Sequence, residues 1–421
     1  MELILPSALL ALVRHAILLL PLAATLWLAV RYRRQPNMLV AALFAMLYQG
    51  GVLLALNVLA IWLGWWRFDD GVLALLGFPA DLWFGWALLW GPLLFLLTPR
   101  RSPLLWVPVL ALLDLLLMPA LQPLVVLGPD WLRGEALLLL TAYLPGQYLA
   151  RWTAEDRRLP RRATLLAIAY GGVAFLVLPS AIMRAMGGEW KHGLEWPWPV
   201  LLLGGLGLSL CMLVGLSAVQ LFVVHGQGTP IPLDHTKRLV RTGLYAYFSN
   251  PMQASTALAW LILGLLLGNA WVAAAAVMAV VFVLGMVRWH HRYDLALRFP
   301  LGWTVYRQHV PDWLPRWRPW VPVPAHLSFD SASAVQVRLA QWLQGRVQGL
   351  VIEPGAGLVY REPGEVRDFR GPAALAKALN HLNLAYALAG AAVLLLSLPV
   401  QAVPVLLKRA RMRLQLAQRG G

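Results

Sequence analysis

The stretch MLVAALFAMLYQGGVLLALNVLAIWLGW, Met38 to Trp65, runs for 28 residues without a charged side chain. A helix rises about 1.5 Å per residue, so roughly 20 apolar residues cross a hydrocarbon core. This run therefore reads as a transmembrane helix, and similar runs recur on both sides of it. Ala8 to Val30 precedes it, interrupted by Arg14. No basic segment leads into that run and no small-residue cleavage site follows, so it reads as a span and not as a secretory signal. Continuing along the chain, spans are expected at roughly 71–98, 103–120, 134–150, 163–185 and 198–224, then a hairpin of two at roughly 252–268 and 270–287. The expected fold class is mainly α: a polytopic helical membrane protein with about nine transmembrane helices and a small C-terminal α/β module.

Composition agrees. Of the 421 residues, 60% are hydrophobic and only 13% charged, about half the charged share of a soluble domain. The formal charge of +16 would suggest nucleic acid in a soluble protein, but no basic stripe with interleaved aromatics exists in a soluble segment, so nucleic acid is not an expected partner. The basic residues instead gather at the ends of apolar runs. Arg31, Arg33 and Arg34 follow the first span, Arg100 and Arg101 the third, Arg157, Arg158 and Arg161 the fifth, and Lys237, Arg238 and Arg241 the seventh. The alternate loops hold Asp69 and Asp70, Asp130 with Glu135, and Glu189 with Glu195. By the positive-inside rule the N-terminus lies outside and the loop before the hairpin is cytoplasmic; the expected setting is a plasma membrane of the bacterial inner-membrane type. Trp65, Trp66, Trp196, Trp198 and Trp289 fall at span ends, where an indole sits half wet. Cys211 is the sole cysteine, which excludes an intrachain disulfide or a thiolate metal cluster.

Three regions follow: residues 1–195, an N-terminal multi-helix membrane region; 196–320, a membrane region with a polar loop; and 326–421, a C-terminal cytoplasmic module. The stiff linker Val321-Pro322-Val323-Pro324 introduces the last. Within it, Leu382 to Leu407 is apolar enough to span, yet Lys408, Arg409, Arg411 and Arg413 would then lie outside. A helix packed on the module or on the membrane surface is expected there.

Chemistry concentrates in Gly226-Gln227-Gly228-Thr229-Pro230 and in Leu239-Val240-Arg241-Thr242-Gly243-Leu244-Tyr245-Ala246-Tyr247-Phe248-Ser249-Asn250-Pro251-Met252-Gln253. Non-helical backbone between two spans must line a cavity or be buried in protein. Glycines let backbone approach a ligand closely, and Asn250-Pro251 suits a helix start.

This pattern resembles the LVTxGPYRYVRNPMY signature of the isoprenylcysteine carboxyl methyltransferase and phospholipid methyltransferase superfamily. Phe299, Trp303, Tyr306, Val310-Pro311 and Trp313 are similar in spacing to that family's tail. The resemblance covers roughly residues 200–320 and implies S-adenosylmethionine held from the cytoplasmic side, with a lipophilic acceptor or lipid arriving from the bilayer. It implies that Gly243, Tyr245, Tyr247, Asn250, Pro251 and Met252 line the cofactor pocket and that Gly226 and Gly228 approach it. Methyl transfer from a sulfonium depends chiefly on alignment, and tyrosine faces can stabilise the cation. The chain departs from the pattern at Ala246 and Ser249, where the family carries Arg, and at His291-Arg292, where it carries a Glu pair. Asp294 is the nearest carboxylate to replace that pair. No catalytic residue is assigned. The C-terminal residues Leu327 to Ser333 and Phe369 to Leu375 resemble the DCC thiol-disulfide oxidoreductase-like proteins, which implies a thioredoxin-like core. Ser333 and Gln336 stand near that family's cysteine positions, so no dithiol chemistry is expected.

Two other functions fit the same resemblance. The C-terminal half of membrane sterol reductases is similar and binds NADPH there, and a pseudoenzyme would bind lipid or a partner without catalysis. His225 and His235 flank the loop as candidate bases, against simpler structural roles. His290, His291 and Asp294 read as a solvated helix end, so no metal is expected. Asp81 and Asp114 lie within spans, where a carboxylate marks either function or an interhelical hydrogen bond.

Overall fold

The computed structural model describes residues 7–69, 73–229, 231, 233–234, 236–363 and 368–396. The protein is mainly helical. Among the described residues, six helices are long and apolar enough to cross a membrane: Leu9–Arg31, Pro36–Trp62, Ala80–Leu97, Pro103–Leu121, Leu159–Met186 and Trp198–Gly226. Shorter apolar helices occupy Pro251–Leu266, Ala270–Phe282 and Leu384–Leu396. The expected fifth span is helical through Trp131–Leu138, Leu139–Tyr143 and Leu144–Ala154, but it is not among the six.

The chain divides into two compact units. One comprises Met1–Glu195, Thr229–His235 and Leu267–Val272; the other comprises Trp196–Gly228, Thr236–Leu266 and Ala273–Gly421.

In the first unit, prolines shape the helices. Pro92, Pro145 and Pro179 lie in or just after π-turns at Leu89–Leu93, Leu139–Tyr143 and Val173–Val177. A proline lacks the N–H and crowds the carbonyl one turn back, and the wider turn relieves both effects. Carbonyls at such turns need donors where no water reaches them. Gln147 supplies Nε2 to the Trp90 and Gly91 oxygens at 2.6 and 2.8 Å. Gln49 does the same for Ala142 at 3.0 Å, and Tyr48 donates to Thr141 O at 2.9 Å. Gly91 permits the close helix crossing that makes this possible: a Cβ there would sit 3.2 Å from the backbone of Ala45 and Met46.

The intramembrane Asp81 is satisfied by Arg14, which donates through Nε at 2.7 Å and Nη2 at 3.1 Å. The residue that interrupts the first apolar run is thus the partner of the carboxylate in the third. Asp114 meets a different partner, Glu135. Trp66 is not a half-wet belt residue; it is 6% exposed and donates to Asn57 Oδ1 at 3.1 Å. It lies in β1 (Trp66–Phe68), beyond which come the two-residue strands β2 (Ala74–Leu75) and β3 (Phe78–Pro79), paired with each other. β4 (Val125–Leu127) runs antiparallel to β1.

In the second unit, Trp198–Gly226 packs along Pro251–Leu266, with Gly204 and Gly207 facing Leu266 and Ile262. The C-terminal region is a mixed α/β layer. Strands β5 (Ala325–Phe329), β6 (Leu350–Pro354), β7 (Val359–Arg361) and β8 (Phe369–Arg370) form a sheet in the order β6-β5-β7-β8. The β5–β6 pair is parallel, joined through the helix Ala334–Leu343, whereas β7 and β8 are antiparallel additions. A core of Leu327, Leu343, Tyr360, Ala374 and Leu382 lies against it. Leu384 and Leu388 of the helix Leu384–Leu396 pack on the Tyr245–Phe248 core of the same unit. The basic cluster from Lys408 lies outside the described residues.

Candidate functional site

The loop and the tail that carry the sequence pattern come together. Tyr306 donates its hydroxyl to Tyr245 O at 2.8 Å. Backbone N–H groups of Ser249, Arg316 and Trp320 donate to the oxygens of Pro311, Tyr247 and Ala246 at 2.9, 3.1 and 2.9 Å. Asp312 fastens the turn before the helix Pro251–Leu266. It accepts from Ser249 Oγ at 2.7 Å, and its backbone oxygen accepts from the Asn250 N–H at 3.2 Å. Asn250 Nδ2 adds longer contacts to Ser249 and Asp312 at 3.3 to 3.4 Å, and Arg307 pairs with the same carboxylate.

The residues that the resemblance assigns to the cofactor divide into two groups. Gly243 lines a cleft, in a left-handed turn at φ +59° that a side chain would strain. The others are engaged within the fold. Gly226 makes room for the returning chain: a Cβ there would meet Thr236 and Val240 at 2.9 and 3.0 Å. Its oxygen accepts from Lys237 N at 2.7 Å, and Gly228 N donates to Phe222 O at 3.3 Å. Tyr247 is buried and donates to Asn380 O at 2.9 Å. Pro251 is buried at the helix start, and Met252 packs half-buried against Tyr245 and its neighbours. Asp294 holds Arg298 through both oxygens at 2.7 and 2.8 Å, and Arg298 reaches on to Thr236 O at 2.6 Å. Tyr245 is the exception. It is buried, with its ring 5.3 Å from that of Phe222, and its hydroxyl has no hydrogen-bond partner among the described residues. Burial pushes both this phenol and that of Tyr306 well above the usual tyrosine range.

The cleft holds about 650 Å³ of empty space, its open mouth included. Arg241, Gly243 and Ala246 form one wall and Trp320 another, while Tyr360, Glu362, Lys377, Asn380 and His381 come from the C-terminal layer. Glu362 and Lys377 are buried and 3.7 Å apart. Lys377 Nζ also donates to His225 Nε2 at 2.7 Å and lies 4.7 Å over the Phe369 ring. His225 Nδ1 faces Glu362 at 3.6 Å. Since Nε2 accepts from the ammonium, the ring proton belongs on Nδ1, toward the carboxylate. Sequence reasoning found His225 as a flank of the loop; it had no signal for Glu362 or Lys377, which lie 137 and 152 positions later. The side chains of His290 and His291, and all of His235, lie outside the described residues.

A second polar chain stiffens the C-terminal wall. His381 Nδ1 donates to Gln348 O at 2.8 Å, so Nε2 accepts from the Tyr360 hydroxyl at 3.0 Å. Burial, opposed by the Gln348 hydrogen bond and reinforced by Lys377, lowers His381 to about 4. An unfolded imidazole titrates near 6.5. Below that value the unfolded chain takes up a proton that the folded chain refuses, so stability falls as the pH drops from about 6.5 toward 4. The expected slope is at most about 1.4 kcal/mol per pH unit from this residue. Thermal unfolding of wild type and His381→Asn across that window will show a shallower slope in the variant.

Comparison with known proteins finds no matching family model, no matching curated sequence and no matching solved structure.

Proposed function

We propose that the chain is a membrane-embedded, S-adenosylmethionine-dependent methyltransferase acting on a lipophilic acceptor at the cytoplasmic interface. The observation that carries this reading is the cleft in which the Gly243 turn of the signature loop faces Glu362 and Lys377. Its chemistry suits the cofactor. Arg241 and Lys377 would hold a carboxylate, Glu362 an ammonium group or ribose hydroxyls, and the Trp320 and Tyr360 rings a purine or a sulfonium. Glu362 Oε2 is buried without a hydrogen-bond donor among the described residues, so a polar ligand would supply what the fold does not. When bound, the cofactor supplies an electrophilic methyl group. The chain's own part is to fix the acceptor in line and exclude water.

The wider setting in this reading keeps the expected topology: about nine spans, the N-terminus outside, the C-terminal module cytoplasmic and a plasma membrane of the bacterial inner-membrane type. The sheet order β6-β5-β7-β8, with a parallel β-α-β pair beside an antiparallel hairpin, supports a thioredoxin-like core for that module.

Membranes containing the chain are expected to move labelled methyl from S-adenosylmethionine into the organic-extractable fraction, above membranes without it. A Glu362→Gln, Lys377→Met double variant should lower that transfer by about tenfold or more, the scale of one lost charge-assisted contact. Equal labelling with and without the chain would defeat the reading. One observation favours a non-catalytic binder instead: the side chains of Tyr247, Asn250 and Asp294 are occupied by the fold itself. That alternative predicts that Asn250→Ala and Tyr245→Phe leave function intact.

A further inference from the structure

Within the first unit a pocket of about 440 Å³, its open mouth included, is walled by the aromatic rings of Trp66, Phe68, Phe78, Trp86 and Trp131. Among the described residues, Glu135 is the one acidic residue that lines it, and no Lys, Arg or His does. The Glu135 carboxyl is a close neighbour of Asp114, which comes from the helix Pro103–Leu121. Both residues are only 8% exposed. Glu135 Oε1 and Asp114 Oδ2 each lack a hydrogen-bond partner among the described residues. Two carboxyls in such contact hold one proton between them, because like charges that close do not both ionise in a buried site. One negative charge therefore remains. The nearest basic residue in sequence, Arg133, is exposed and turned to Asp130 at 3.0 Å.

The wall is also rigid. Trp66 donates to Asn57 Oδ1 at 3.1 Å, Asn57 Nδ2 donates to Leu53 O at 2.8 Å, and the Phe68 and Phe78 rings lie 4.9 Å apart. A single negative charge at the edge of an aromatic box is complementary to a cation with an apolar shell. Ring faces attract such a cation through their quadrupole, and a quaternary ammonium sheds its water readily. A hard metal ion would need six or more oxygen ligands, which the aromatic wall does not provide.

We propose that this pocket binds an organic ammonium headgroup, with the carboxyl pair of Glu135 and Asp114, which share one proton, as the counter-ion and the Trp and Phe rings as the cage. The headgroup would belong either to a lipid or to a soluble amine. This site lies wholly in the first unit and does not depend on the methyltransferase reading.

The test uses the detergent-purified full chain and its tryptophan fluorescence. Choline, its uncharged carbon isostere 3,3-dimethylbutanol, and short-chain phosphatidylcholine are titrated separately. Choline or the short-chain lipid is expected to produce a saturable change, with the isostere at least about tenfold weaker, the scale of a desolvated cation–π and ion-pair contact. Glu135→Gln should weaken choline binding by a similar factor and leave binding of the isostere unchanged. Tighter binding of the lipid than of choline would assign the headgroup to a membrane lipid; equal binding would assign it to a soluble amine. Choline and the isostere binding alike, or no saturation by either headgroup ligand, would overturn the proposal. The comparison of choline with its isostere is made on wild type, so it holds even if Glu135→Gln fails to fold.

Discussion

Replacing Lys377 with Met is expected to destabilise the second unit by about 3–5 kcal/mol, the typical result of removing one partner from a buried ion pair. Lys377 and Glu362 have side chains only 5% and 6% exposed, so solvent screens little of the loss. The change leaves the Glu362 carboxylate buried beside the His225 ring, at 3.6 Å, and removes the 2.7 Å hydrogen bond to that ring. Adding Glu362→Gln should recover a large part of the stability, because a neutral amide does not need the ammonium. Thermal unfolding of the two variants beside wild type gives the comparison. A double variant as unstable as the single one would mean that packing around the Lys377 stem, not charge, holds this corner.

Arg162→Ala should be comparably damaging to the first unit. The Arg162 side chain is 1% exposed, near the start of the helix Leu159–Met186. It donates to Asp234 at 2.8 Å, to Trp152 O at 3.1 Å and to Asp156 at 3.4 Å. Truncation removes all three contacts and opens a cavity, for a loss of about 3–5 kcal/mol. Asp156 is about half exposed, so its share is small and the effect rests on Asp234 and the packed stem. Asp156→Ala should therefore change stability by less than about 1 kcal/mol. If the two variants unfold alike, Arg162 is not the anchor that its burial implies.

These two residues also show what the sequence could disclose. Spans were legible because lipid imposes one condition, a long apolar helix, that hydropathy reads directly. Leu159–Met186 and Trp198–Gly226 fall within a few residues of the runs expected from composition. The carboxylate at Asp81 was legible as a cost needing a partner, and Arg14 as an interruption of an apolar run. Nothing local joined the two across 67 positions. The same limit applies to the candidate site. The loop Leu239 to Gln253 and the segment Phe299 to Trp313 stood out as patterned, and the structure brings them together through Tyr306, Asp312 and Trp320. Glu362, Lys377 and His381 could not be recognised, because each sits in an ordinary amphipathic context and acquires meaning only when β7 and the helix Pro372–Leu379 bring it to the Gly243 turn. Tyr247 and Asn250 show the converse. Their residue types suit a ligand, yet their side chains are spent on the fold.

The most direct test is equilibrium binding of S-adenosylmethionine and S-adenosylhomocysteine to the detergent-purified chain by calorimetry, with NADPH titrated in parallel. The account predicts saturable binding of the first two, weakened about tenfold or more by Glu362→Gln, and no binding of NADPH. Binding of NADPH alone, or of none of the three, would contradict it.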